Sequence, residues 1–386
     1  MEETGSNQLM EGITVRNTAR KIAVSIPALL VGYFVISLTW SEATTAAEKV
    51  YQGTVYVGGM GGHIAKVEVK VDPAHPEPIT VVNLSRITFT NDPGLAKTAY
   101  ATHDVRIDRS RNMMYWSGFM ADGDSVRAGK INLATGKPVA DAKFPKEQKT
   151  TMGPMYCASG QTRDKFLPVM MGHEGFIDVI DKETMKLERR VFFDHPKIPK
   201  NYLWAHGVNS PNGKEFALWM SLGDKPGVFP RGEEKRQLVF ILDMNALVKG
   251  EIKILREATL ASDPKSSAFF RGYYTSDGKR LLISGRDRSW VLDAQTLKVV
   301  AETANAPGWE NHDIQPLPGD RYALLTQRVP MEFEPGKKGM DGQIELYDLT
   351  RMAKVGKAVS VCQSCHKNAG VKTTAEACGI DSVWKL

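Results

Sequence analysis

Near the C-terminal end of the 386-residue chain stands Cys362-Gln-Ser-Cys365-His366. A Cys-x-x-Cys-His run is the attachment signature of c-type haem: two thiols add to the haem vinyl groups and the adjacent imidazole ligates iron. Cys362, Cys365 and His366 are therefore candidate cofactor-binding residues, with His366 as axial ligand. Two other chemistries use the same residue types. A disulfide, Cys362–Cys365 or Cys365–Cys378, would tie down the end of the chain. A zinc ion could take three thiolates and His366. The chain has only four cysteines, Cys157, Cys362, Cys365 and Cys378, and three lie within seventeen residues. That clustering points to a local function rather than a disulfide framework.

A second set of reactive side chains appears at fixed places in an internal repeat. Four segments align without gaps: His103 to Asn112, His206 to Glu215, Arg271 to Arg280 and His312 to Arg321. A looser copy begins at Tyr156. The first positions of these copies are His103, Tyr156, His206, Arg271 and His312. If they are equivalent they approach a common axis, where three imidazoles, a guanidinium and a phenol could hold an anion, a transition metal or a cofactor edge. The competing reading is structural: polar residues at repeat starts hydrogen-bond the neighbouring unit. His63, after a Gly-rich stretch, and His173 are less clearly placed; His75 and His195 precede Pro and read as loop residues. The 16 methionines read mainly as core filling.

Each repeat start is followed by an apolar run such as Met113-Met-Tyr-Trp116 or Leu281-Leu-Ile283, and several copies continue into a strand and an Asp-x-x-Thr turn. Asp181 to Thr184 and Asp293 to Thr296 are examples. Short β-type runs broken by Asn/Asp/Gly turns, repeated at intervals of 53, 50, 65 and 41 residues, describe a four-stranded propeller blade. The expected fold is all-β, a seven-bladed β-propeller over 48–360 with a six-bladed ring as the alternative, followed by a short C-terminal tail, 361–386, that carries the Cys-x-x-Cys-His motif. Tyr51 to Thr102 reads as an additional blade sharing strands with the C-terminal end. Leu242 to Ala261 reads as an insertion in the longest repeat, with a helix from Asn245 and Glu251 as its most interesting charge.

Composition is ordinary for a folded chain, 42% hydrophobic and 24% charged, with a net charge of +6 spread along the sequence. No basic cluster suggests nucleic acid. Gly-x-Ser-x-Gly, P-loop, zincin and EF-hand signatures are missing. Ile22 to Ser41 carries no charge; Arg16, Arg20 and Lys21 precede it and small residues follow to Ala47. This is the order of an export signal, with 1–47 removed or retained as an anchor. Either outcome places the rest outside the cytoplasm, with membrane contact only through that segment. Haem is attached to such motifs in the same compartment.

An exported single propeller with Asp-x-x-Thr blade turns and an insertion around Glu251 resembles the β-propeller subunit of hydrazine synthase from anammox bacteria. More broadly it is similar to periplasmic, cytochrome-associated, YVTN-like propellers. The resemblance implies a subunit of a multihaem oxidoreductase that joins nitric oxide and ammonium into hydrazine. It implies haem-bearing partner subunits that hold the catalytic haems, and a propeller that scaffolds them and supports electron transfer. In the broader class, haem c on the propeller chain itself is ordinary.

Overall fold

In a computed structural model, residues 49–385 are described apart from 98, 148–155, 224–235, 262–267 and 369–375. The expected export segment lies outside the described residues. Among the described residues no helix is long and apolar enough to cross a membrane.

Strands β1 (Tyr51–Gly59), β2 (His63–Val71) and β3 (Ile79–Thr88) begin the first blade, and the short helix α1 (Pro93–Lys97) leads to the second. The second blade is β4 (Thr102–Asp108), β5 (Met113–Gly118), β6 (Ser125–Asn132) and β7 (Lys137–Pro145). The third is β8 (Tyr156–Gln161), β9 (Lys165–Met170), β10 (Phe176–Asp181) and β11 (Leu187–Phe192). The fourth is β12 (Tyr202–Asn209), β13 (Glu215–Leu222), β14 (Arg236–Asp243), helix α2 (Met244–Val248) and β15 (Ile254–Ala261). The fifth is β16 (Phe269–Tyr274), β17 (Arg280–Gly285), β18 (Arg288–Asp293) and β19 (Val299–Ala304). The sixth is β20 (Glu310–Pro316), β21 (Tyr322–Glu334), β22 (Lys337–Asp348) and β23 (Ala353–Ser360). Helix α3 (Cys362–Asn368) follows, and β24 (Ala377–Trp384) ends the chain.

These strands form six antiparallel four-stranded sheets, and the first has the order β24-β1-β2-β3. The innermost strands touch in a closed ring, β4 to β8 to β12 to β16 to β20 to β24 and back to β4. The protein is thus a six-bladed propeller, which corrects the expectation of seven. Dividing length by a typical repeat overcounted because several blades are long. Strands β21 and β22 form a hairpin of 13 and 12 residues. Among the described residues, the longest repeat interval holds the four strands of one blade and α2.

Two other expectations are corrected. The C-terminal segment is not a tail outside the ring, because β24 is the innermost strand of the first blade and closes the circle. Trp384 packs against Tyr51, ring centroids 6.1 Å apart. Leu242 to Ala261 is not an insertion: α2 bridges β14 to the outermost strand β15. Its start is fixed by Asp243, whose side chain accepts from the Ala246 N–H at 2.9 Å. Glu251 sits exposed in the turn before β15, on the outer edge of its blade and not at the axis.

The blades are held by apolar faces packed between sheets, as alternate buried positions of each strand require. Trp116, Trp219 and Phe166 are fully buried in these layers. Polar ties link neighbours: Trp219 Nε1 donates to the Phe270 carbonyl at 2.5 Å, and Arg106 Nε donates to the Ser159 carbonyl at 2.7 Å. At the blade turns Asp181 accepts from the backbone N–H and hydroxyl of Thr184, and Asp293 does the same with Thr296.

Candidate functional site at the propeller axis and on helix α3

Six blades bring six inner strands to the axis, and each contributes one side chain at the same level: His103, Cys157, His206, Arg271, His312 and Cys378. The pairing between the first two strands of a blade slips at His103, Cys157, Arg271, His312 and next to Cys378. Such a bulge leaves a residue outside the ladder and re-aims its side chain.

Four of the five expected axial residues are therefore brought together, and Tyr156 is not. Its ring lies between blades, with its hydroxyl donating to Asp178, a carboxylate also held by Arg190 at 2.8 Å. The next residue, Cys157, takes the axial place. Aligning the repeats on the residue that precedes Asp104, Ala158, Gly207, Gly272, Asp313 and Gly379 would have revealed both Cys157 and Cys378.

Inside the ring, His206 Nε2 and Cys157 Sγ are 2.9 Å apart. His103 Nδ1 donates to the Tyr156 carbonyl at 3.3 Å. Arg271 Nη1 donates to His312 Nδ1 at 2.7 Å, its Nη2 donates to the His103 carbonyl, and its Nε lies 3.4 Å from Asp104. Arg328, from β21, donates from Nη2 to Cys378 Sγ at 3.0 Å and from Nε to the Ala377 carbonyl at 3.0 Å. A ligand atom each from His103, His312 and Cys378 lie within 4.8 Å of one another.

Burial, and then the positive field of Arg271 and Arg328, hold the His103 and His312 imidazoles well below the ordinary histidine range. Burial and Arg271 do the same to His206. All three rings are neutral and can act as ligands or acceptors. Burial pushes the Cys157 thiol up to about 12. The Cys378 thiol is also raised by burial, partly offset by Arg328. One side of the ring opens into a cavity of about 250 Å³, lined among others by Phe119, Trp204, Phe270, Arg286 and Glu310. Deeper along the axis, Arg106 pairs with Asp104 at 3.3 Å and Asp313 at 3.8 Å and lies over the Tyr273 ring.

The second constellation is on α3. Cys362, Cys365 and His366 lie three and four residues apart, one face of a helix. The helix is anchored where Asp341 accepts from the Gln363 N–H at 3.0 Å and the Val361 carbonyl accepts from the Cys365 N–H at 2.8 Å. All four cysteines are free, so neither expected disulfide is present. Cys378 faces the axis beside His103 and His312, which does not suit a zinc site of three thiolates with His366. His63, at the start of β2, is brought to this motif. Its Nε2 is 3.3 Å from Cys365 Sγ and its ring centroid 5.1 Å from that of His366. A Cβ on Gly61 would fall 2.6 Å from His366 Nε2 and 3.0 Å from His63 Cε1. Two free thiols and an adjacent imidazole on one helical face are the residue types that haem c attachment uses, here closely packed against Gly342 and Gly61.

No family model matches the chain, and no curated protein matches it. Solved structures of β-propellers are similar at low identity. Hydrazine synthase from Kuenenia stuttgartiensis is 14% identical with a TM-score of 0.43, covering 74% of this chain and 79% of that one. The Myceliophteria thermophila Cps50 (Swd1) propeller domain is 12% identical with a TM-score of 0.40, covering 74% and 96%. The Dos1 propeller is 10% identical with a TM-score of 0.43, covering 79% and 67%. The class is that of β-propellers, and it rests on the ring topology of the chain itself.

Proposed function

We propose that this protein is an extracytoplasmic redox subunit that carries haem c on helix α3 and works with haem-bearing partner subunits. The observation that carries this reading is the helical face presenting Cys362, Cys365 and His366 beside His63. Cys362 and Cys365 would form the thioether links, and His366 would supply the proximal nitrogen. When bound, the haem would provide one-electron chemistry. The protein's own contribution is to exclude water from the motif, which is buried, and to fix the helix through Asp341. A place in a complex that makes hydrazine from nitric oxide and ammonium is the finer form of this reading and comes from the sequence resemblance alone.

The test is production in a host that matures c-type cytochromes, followed by intact mass and a pyridine haemochrome spectrum. One covalently bound haem, lost in C362A/C365A, is the expected result. Protein of unmodified mass from such a host would remove the reading. Purification from its native source would then show whether haem-bearing subunits accompany it.

A second reading has the propeller as an enzyme or electron carrier in its own right, with chemistry at the axis. It is favoured by one observation: every inner strand presents an imidazole, a thiol or a guanidinium at the same level.

A further inference from the structure

We propose that His103, His312 and Cys378 hold a single late first-row transition-metal ion, copper or zinc, at the propeller axis. This goes beyond the haem reading and depends on different residues. The three side chains come from three different strands, β4, β20 and β24, and no local folding requirement brings imidazole, imidazole and thiol together. Their ligand atoms are mutually within 4.8 Å, the spacing of donors around one ion. Two imidazoles and a thiolate are the ligands that copper and zinc prefer, and hard ions such as magnesium or calcium are disfavoured by them.

The surroundings suit a metal as well. The Tyr156 carbonyl takes the His103 Nδ1 proton, which leaves Nε2 with its lone pair, as in metal-bound histidines whose second nitrogen is held by a backbone oxygen. Arg328 lies 3.0 Å from the Cys378 sulfur and would stabilise the thiolate once the proton is released. At His312 the Arg271 hydrogen bond occupies Nδ1. A metal on this ring either takes the place of that N–H or binds Nε2 after the ring proton moves. Arg271 keeps the His103 carbonyl and Asp104 as partners in either event. Three protein ligands leave coordination open for a small molecule, and the 250 Å³ cavity beside His103 and His312 has room for one.

The test uses Co(II) as a spectroscopic probe of the purified full chain, with copper and zinc measured by elemental analysis. Wild type should bind one equivalent at this site with a thiolate-to-cobalt charge-transfer band. C378S should lose the band while C157S and C362S/C365S keep it, which separates the axial metal from binding at Cys157 or at Cys362 and Cys365. H103Q and H312Q should each weaken binding at least ~10-fold. Circular dichroism reports whether each variant folds, and the two histidine variants keep the question decidable if C378S does not. An unchanged band in folded C378S, or full affinity in folded H103Q and H312Q, would overturn the proposal.

Discussion

Cys157 Sγ and His206 Nε2, on neighbouring inner strands at the propeller axis, meet at 2.9 Å with no solvent exposure on either residue. Proximity to an imidazole often activates a thiol, but here burial acts on both partners. It pushes the thiol up to about 12 and holds the imidazole well below its ordinary range, so the pair stays neutral. The thiolate is the reactive form. Cys157 is therefore expected to resist a disulfide reagent such as DTNB at pH 8 in folded protein and to react promptly after unfolding in guanidinium. Mass mapping of the labelled peptide checks this. Rapid native labelling of Cys157 would show an activated nucleophile instead.

Much of this arrangement is legible in the amino-acid sequence. The turns built on Asp181 and Asp293 and the apolar runs after each repeat start specify blades, since only residues with the right local bonding close such hairpins. Blade number was not legible. It depends on connection lengths such as the β21–β22 hairpin, and nothing local fixes those. Four of six axial residues could be found from repeat starts. Cys157 was hidden because Cys157-Ala158 lacks the His or Arg followed by Asp or Gly that marks the other starts, so the third copy reads as beginning one residue early, at Tyr156. Cys378 was hidden because the sixth copy of the inner strand lies at the far end of the chain, detached from its blade. His63 could not be tied to Cys365 by sequence, as they are 302 residues apart.

Ring closure by β24 makes the C-terminal residues indispensable. Asp381 accepts from the Ile107 N–H at 2.7 Å and from Gln315 Nε2 at 2.5 Å, tying the first blade to the second and sixth. Deleting residues 377–386 removes these bonds and exposes the β1 edge, the apolar face of Tyr51 and the axis. The truncated chain is expected to lose its cooperative thermal transition and to aggregate. The milder Trp384→Ala change should cost about 3 kcal/mol, typical for emptying a buried aromatic site. A truncation that melts like the full chain would contradict closure by β24.

Lys182 and Asp108 form a buried ion pair between the third and second blades, Nζ to Oδ2 2.7 Å, with Gln161 as a further acceptor at 2.8 Å. Removing only the cation leaves Asp108 with Arg111 at 3.7 Å and little solvent. Lys182→Met should destabilise by about 3 kcal/mol, because an uncompensated buried charge costs more than the pair contributes. Adding Asp108→Leu should recover most of that loss. A double-mutant cycle from urea denaturation measures the coupling, and strictly additive losses would show that the pair is not interacting.

The blade-turn aspartates give stability a defined pH dependence. The backbone N–H of Thr184, followed by its hydroxyl, holds the Asp181 carboxyl below the usual carboxylate range, and Thr296 acts in the same order on Asp293. A carboxylate with a lowered folded-state pKa binds fewer protons when folded than when unfolded. Its contribution is complete above the ordinary value of about 4 and disappears as pH falls through the lowered one. D181N/D293N should therefore melt below wild type at pH 6, and the gap should close by the acid end of the titration. A gap that is the same at every pH would mean that the charge plays no part in these turns.

Gly61 tests whether the pocket between His63 and His366 is as tight as its geometry. A Cβ there would meet His366 Nε2 at 2.6 Å, a separation that forces a shift, and His63 Cε1 at 3.0 Å, a tight contact. A Cβ on the nearby Gly58 would meet nothing closer than 3.6 Å. Gly61→Ala should push the two imidazoles apart, lower the melting temperature and impair haem loading in a cytochrome-maturing host. Gly58→Ala should leave both measurements near wild type. If the two variants behave alike, close approach at Gly61 is not what sets the position of the histidines.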